Sequence, residues 1–141
     1  MTRAAAILAI GSLVIVACAS ESPTGPHWEE QISHVSWVSL PDTAKVGVPF
    51  LVRIGTFGFM DESHQGRDVV TPTDYGYLIT TYDWHLLGLY VSVRGYEPYE
   101  HRITLTVFNA SIVRIDVQDL DYTPSGRDTL VTISKQVVFV F

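Results

Sequence analysis

Five histidines are the side chains of this chain best suited to chemistry near neutral pH: His27, His34, His64, His85 and His101. None stands at a ligand spacing such as H-x-x-x-H or H-E-x-x-H. Two stretches do combine imidazole with carboxylate. Asp61, Glu62, His64 and Asp68 share one polar segment, and carboxylates with an imidazole suit Ca²⁺ or Zn²⁺. A solvated loop explains the same residues, so neither a metal nor any other cofactor is assigned. Asp83-Trp84-His85 sets an acid two positions from an imidazole, a pairing that can orient a general base. A nucleophilic serine in a G-x-S-x-G turn is missing. A small hydrolase, or an accessory domain of one, would have to gather His85 or His101 and carboxylates from distant strands. The residues favour a non-catalytic protein.

Aromatic side chains offer a different chemistry. Trp28, Trp37, Trp84 and seven tyrosines are present. Trp37 is expected in the core, because aromatics are strong strand formers and core fillers. Trp84, Tyr96 and Tyr99 are the candidates for an exposed surface that stacks on a glycan or anchors an envelope protein. Tyr96 and Tyr99 flank Pro98 in what reads as a loop. The single cysteine, Cys18, excludes an internal disulfide.

The elements that must position these groups are strands. Alternating apolar positions run through Val46, Val48, Phe50, Val52 and Ile54, with Pro49 requiring an edge or a bulge. Leu87, Leu89, Val91 and Val93 form a second face. The cleanest half-buried strands carry Ile103, Leu105 and Val107, then Val113, Ile115 and Val117. The short 109–111 segment predicts a hairpin joining those two strands. Residues 129–141 are rich in β-branched residues and long enough to bend or bulge midway, near Ser134-Lys135. Polar or proline-containing segments at 41–42, 61–67, 95–98 and 123–126 read as turns. Outside the N-terminal run no helical period is sustained. The chain is therefore expected to be all-β, a sandwich of about seven antiparallel strands.

The N-terminus is of another kind. Arg3 precedes an apolar run, residues 4–17, broken only by Gly11 and Ser12. It is short of the roughly 20 residues that span a bilayer and fits the apolar region of a secretory signal, roughly 7–15 residues. It ends in Ile15-Val16-Ala17-Cys18-Ala19-Ser20. That ending resembles the lipobox of bacterial lipoproteins. The resemblance implies cleavage before Cys18 and attachment of palmitate-type acyl chains to it. Each buried methylene contributes about 0.8 kcal/mol, so two or three chains hold a protein at a membrane. With alanine at 19, the sorting rule of that family implies the outer membrane where a cell has two. Ala17-Cys18-Ala19 also fits ordinary signal peptidase cleavage after Ala19. Residues 18–30, with Pro23, Gly25 and Pro26, read as a linker, and 31–141 as the folded domain.

A second resemblance covers most of 31–141. Pro41, Gly47, Pro49, Phe50 and Val52 follow the P-x-x-x-x-x-G-x-P-F-x-V pattern that opens many bacterial immunoglobulin-like domains. It implies an immunoglobulin-like β-sandwich and no particular activity. The terminal Val137-Val138-Phe139-Val140-Phe141 is similar to the closing strand of outer-membrane barrels, although the strands here are short for spanning; a final core strand is the plainer account.

Charge narrows the partners. The formal net charge is −6, and Arg3 is the only charged residue before Cys18, so removing 1–17 makes it −7. Basic residues are scattered singly, against nucleic-acid binding and against docking on anionic headgroups. The expectation is a lipid-anchored envelope protein, facing the periplasm or the exterior, that binds or scaffolds. A metal-binding envelope protein and the small hydrolase using His85 or His101 are the alternatives.

Overall fold

The computed structural model describes residues 25–59, 62–88, 95–109, 112–121 and 128–140. They are all-β: β1 (His27–Ile32), β2 (His34–Ser39), β3 (Thr43–Lys45), β4 (Phe50–Phe59), β5 (Ser63–Thr73), β6 (Gly76–Leu87), β7 (Tyr96–Leu105), β8 (Ile112–Asp121) and β9 (Thr129–Val140). Six form a large sheet in the order β1-β6-β8-β9-β3, with β5 on β6 as well; β2-β4-β7 form a small one. One apolar cluster draws on both sheets: Phe50, Val52, Ile54, Ile103 and Leu105 from the small, Ile79, Val113, Ile115, Val117, Val137 and Phe139 from the large. The rings of Phe50 and Phe139 meet edge to face across the gap, 5.3 Å between centroids.

Alternation along each strand explains this core. On β4 the even positions from Phe50 to Gly58 are buried while Leu51, Arg53 and Phe59 are exposed. Ile103 and Leu105 on β7, and Val113, Ile115 and Val117 on β8, repeat the pattern. These two strands do not form the expected hairpin. β7 pairs with β4 and β8 with β6 and β9, so the connection between them changes sheet. An apolar face reports which way a strand points, not which strand lies beside it.

Other boundaries also depart from the pattern. β4 begins only at Phe50; Gly47, at φ 74°, turns the chain before it and leaves Val48 half exposed. The 61–67 stretch, expected as a loop, enters β5 at Ser63, because its backbone pairs with β6 from Ser63 opposite His85. Tyr96, Pro98 and Tyr99 lie on β7, not in a loop. β9 pairs with β8 without a register shift, so no bulge occurs near Ser134. β1 starts inside the segment expected as linker. The described strands number nine, and two pairings, β6 with β8 and β3 with β9, are parallel. Residues 1–24, with Cys18, lie outside the described residues, as do Asp61, Leu89, Val91, Val93 and the 123–126 turn.

β6 has two successive partners on one side. Its first half, Gly76 to Thr80, pairs with β8; its second, Tyr82 to Leu87, pairs with β1. Ser33 sits at the change. Its N–H donates to the Thr81 carbonyl, 2.9 Å, and its own carbonyl accepts from the Leu120 N–H, 3.2 Å. There the chain leaves the large sheet as β1 and enters the small sheet as β2.

Candidate functional site

Past this corner the interior turns polar. Ser33, Thr56, Thr81, Asp83 and His101 are buried, with at most 1% exposure. His101 of β7 reaches across the gap. Its Nδ1–H donates to Asp68 Oδ1 at 2.6 Å and its Nε2–H to Asp83 Oδ1 at 3.1 Å. Burial works against a charge on this ring, but hydrogen bonds and attraction from Asp68 and Asp83 prevail and raise its pKa to about 9. Burial likewise opposes the Asp83 anion, yet His101, Ser33 and Thr56 together hold its pKa below the ordinary value. Ser33 and Thr56 stabilise that anion by proximity without a well-formed bond. Asp83 Oδ2 and the hydroxyls of Ser33, Thr56 and Thr81 have no partner of good geometry.

A second pair lies nearby. The Ser63 hydroxyl accepts from the Phe59 N–H at 2.9 Å and shares a hydrogen bond with His85 Nδ1 at 3.1 Å. Burial lowers the His85 pKa and keeps that ring neutral. Tyr99 closes the group by donating to the Ser63 carbonyl, 2.9 Å. One protonated and one neutral imidazole thus share the interior.

Two β-bulges decide which residues take part. Between Gln65 and Asp68, β5 holds one residue more than β6 opposite it. His64 therefore faces solvent while Asp68, four residues on, faces His101. His64 lies between Trp28, edge-on at 4.7 Å, and Trp84, stacked at 6.0 Å. Glu62 has a buried carboxylate oxygen without a partner. The expected group Glu62, His64 and Asp68 is thus dispersed, and among the described residues no three metal-ligating side chains converge. The second bulge, between Val35 and Trp37, does the same on β2. Val35 packs against the core, and Trp37, expected inside, is 42% exposed.

Trp37 heads an aromatic surface on the outer side of the small sheet. His34 stacks on Phe57 at 5.6 Å, Tyr96 meets Phe57 edge-on and stacks on Phe59, both at 5.5 Å. Beside them Arg53 donates from Nε and Nη2 to the two Glu100 oxygens, 2.9 and 2.8 Å, and Arg102 donates from Nε at 2.6 Å. Those bonds hold the Glu100 pKa down to about 2. Of the surface candidates, Tyr96 belongs to this face, Trp84 to the outer face of the large sheet, and Tyr99 to the interior. Phe57, Arg53 and Glu100 are not singled out by the sequence, and Trp37 is expected there only as a core residue. The paired charges on alternating positions of β4 and β7 were the available signal.

A depression of about 570 Å³ opens at the other end of β6, lined by Asp74, Tyr75, Tyr77, Ile112 and Arg114 among others. It contains neither His85 nor His101. No family model, no curated protein and no solved structure matches this chain.

Proposed function

We propose that this chain is a lipid-anchored protein of the cell envelope whose folded part, an immunoglobulin-like β-sandwich, has a non-catalytic binding role. The observation that carries the anchoring is Cys18 at the end of the apolar run, followed by Ala19. Acyl chains on Cys18 attach the protein to a membrane, the outer one in a cell with two. Two open sheets around one core support the sandwich, as do strands that change sheet between neighbours in sequence. The aromatic outer face of the small sheet supports binding. Clusters of exposed aromatics with arginine are typical of recognition surfaces.

Expression in a bacterial host with labelled palmitate tests the anchor. The wild-type chain is expected to label and to fractionate with membranes, and Cys18→Ser to do neither. A mature protein that begins unmodified at Ser20 overturns the proposal.

The hydrolase reading has one observation in its favour, the Ser63 hydroxyl within hydrogen-bond distance of neutral His85. It predicts covalent labelling of Ser63 by a fluorophosphonate, abolished in His85→Ala. An unlabelled wild-type protein disposes of it.

A further inference from the structure

We propose that the outer face of the small sheet binds a glycan chain bearing carboxylate groups, with Trp37 as the stacking platform and Arg102 as the carboxylate clamp. This rests on the binding role proposed above and names the chemistry of the partner.

The platform comes first. The bulge in β2 turns Trp37 outward, and its indole lies on the backbone of Gly55, its register partner. A Cβ at Gly55 would stand 2.1 Å from Trp37 Nε1 and 2.2 Å from Cε2. Glycine there lets the ring lie flat on the sheet; the Arg53 guanidinium stands over the ring, 5.6 Å from its centroid, and the part of the indole left exposed is the contact surface. A flat, fixed aromatic face is suited to the C–H face of a pyranose, because the apolar contact is made without ordering a loose side chain.

Polar groups stand beside it. Trp37, Gly55 and Glu100 occupy one row across the three strands, and Arg53 opposite Arg102 the next. With strands about 4.8 Å apart and alternate residues about 6.8 Å apart, the platform and Arg102 are separated by about 12 Å at Cα. Glu100 fixes both guanidinium groups, so donors and acceptors are held in place before any ligand arrives. Such rigid forks match the adjacent hydroxyls of sugars.

Charge selects the acidic glycan. Two arginines against one glutamate leave this patch positive on a chain of net charge −6. Among the described residues Arg102 is engaged only through Nε, and its side chain is 66% exposed. Its terminal nitrogens remain to hold a carboxylate by two parallel hydrogen bonds. Single-stranded nucleic acid also stacks on aromatics, but it requires a positive track along the backbone, and two arginines on an acidic protein do not supply one.

The test uses the full chain in detergent micelles, titrated with a galacturonic acid hexamer, with cellohexaose as the neutral probe and with an oligothymidylate. Calorimetry and tryptophan fluorescence report binding. Saturable binding of the galacturonate is expected, weakened about tenfold or more by Trp37→Ala and largely restored by Trp37→Tyr. Arg102→Gln is expected to reduce galacturonate affinity to about that of cellohexaose, with a smaller loss for the neutral sugar. Circular dichroism of Arg102→Gln, a change at an exposed side chain, controls for folding. The absence of saturable binding to the galacturonate overturns the inference. So does binding that neither variant alters, or tighter binding of the oligothymidylate. Acyl labelling of the same preparation reads the anchoring separately, so either idea can fail alone.

Discussion

The interior of this protein has two halves that meet between successive inward-facing residues, two positions apart, on three strands. Phe50, Val52 and Ile54 on β4 give way to Thr56; Leu105 and Ile103 on β7 give way to His101; Ile79 on β6 gives way to Thr81 and Asp83. The apolar half is held by area removed from water, at about 25 cal/mol per Å². The polar half is held by a few directed contacts, in which each unpaired atom is costly. The first tolerates change of shape within limits; the second depends on protonation. One fold therefore contains a half that is indifferent to pH and a half that is not.

The sharpest way to break the comparison is Asp83→Ala. It leaves the His101 charge buried with one partner and is expected to destabilise by about 3–5 kcal/mol. Ile115→Ala, its counterpart in the apolar half, is expected to cost about 2–5 kcal/mol through transfer and cavity terms. Urea unfolding at several pH values separates the two. The Ile115→Ala loss stays constant from pH 6 to 10, and the Asp83→Ala loss shrinks as His101 deprotonates.

The wild-type protein carries the same signature. His101 has a raised folded pKa, about 9 against an ordinary 6.5. Its contribution is complete below 6.5, declines above it and is gone beyond 9. A shift of that size corresponds to about 3 kcal/mol. On the acid side, Asp83 is lowered and its contribution disappears as pH falls through the folded value. His85 is also lowered, so the unfolded chain gains its proton first and acid favours unfolding further. Stability is expected to be greatest between these limits. A flat profile from pH 6 to 10 would show that His101 is neutral in the folded protein. The smallest effect belongs to Ser63→Ala, which removes the hydroxyl between Phe59 and His85. About 1 kcal/mol is expected, read as a shift in the urea midpoint with an unchanged slope.

The same division marks how far the residues alone could be read. The apolar half was legible, because period-two alternation in Val52, Ile54, Ile103, Leu105, Ile115 and Val117 reports a buried face directly. The polar half was not. His101, Asp68 and Asp83 come from three strands, and no spacing in the chain relates them. The bulges conceal the rest. A strict alternation places His64 and Asp68 on one side of β5 and Val35 and Trp37 on one side of β2. A single extra residue in each strand reverses both assignments. Backbone pairing sets where such a residue is accommodated, and pairing is a property of two segments distant in sequence. The same reason explains the misread 102–117 hairpin.

The position of β1 has a mechanical consequence. Any pull on residues preceding His27 enters the domain along a strand whose six residues are all paired with β6. A load directed along that strand strains its rungs together, so it must slide rather than unzip. Ser33 lies just beyond, bonded on one side to β6 and on the other to β8, and acts as a stop. Tension arriving through the residues before His27 would thus be spread over the large sheet before it could reach the face formed by β2, β4 and β7.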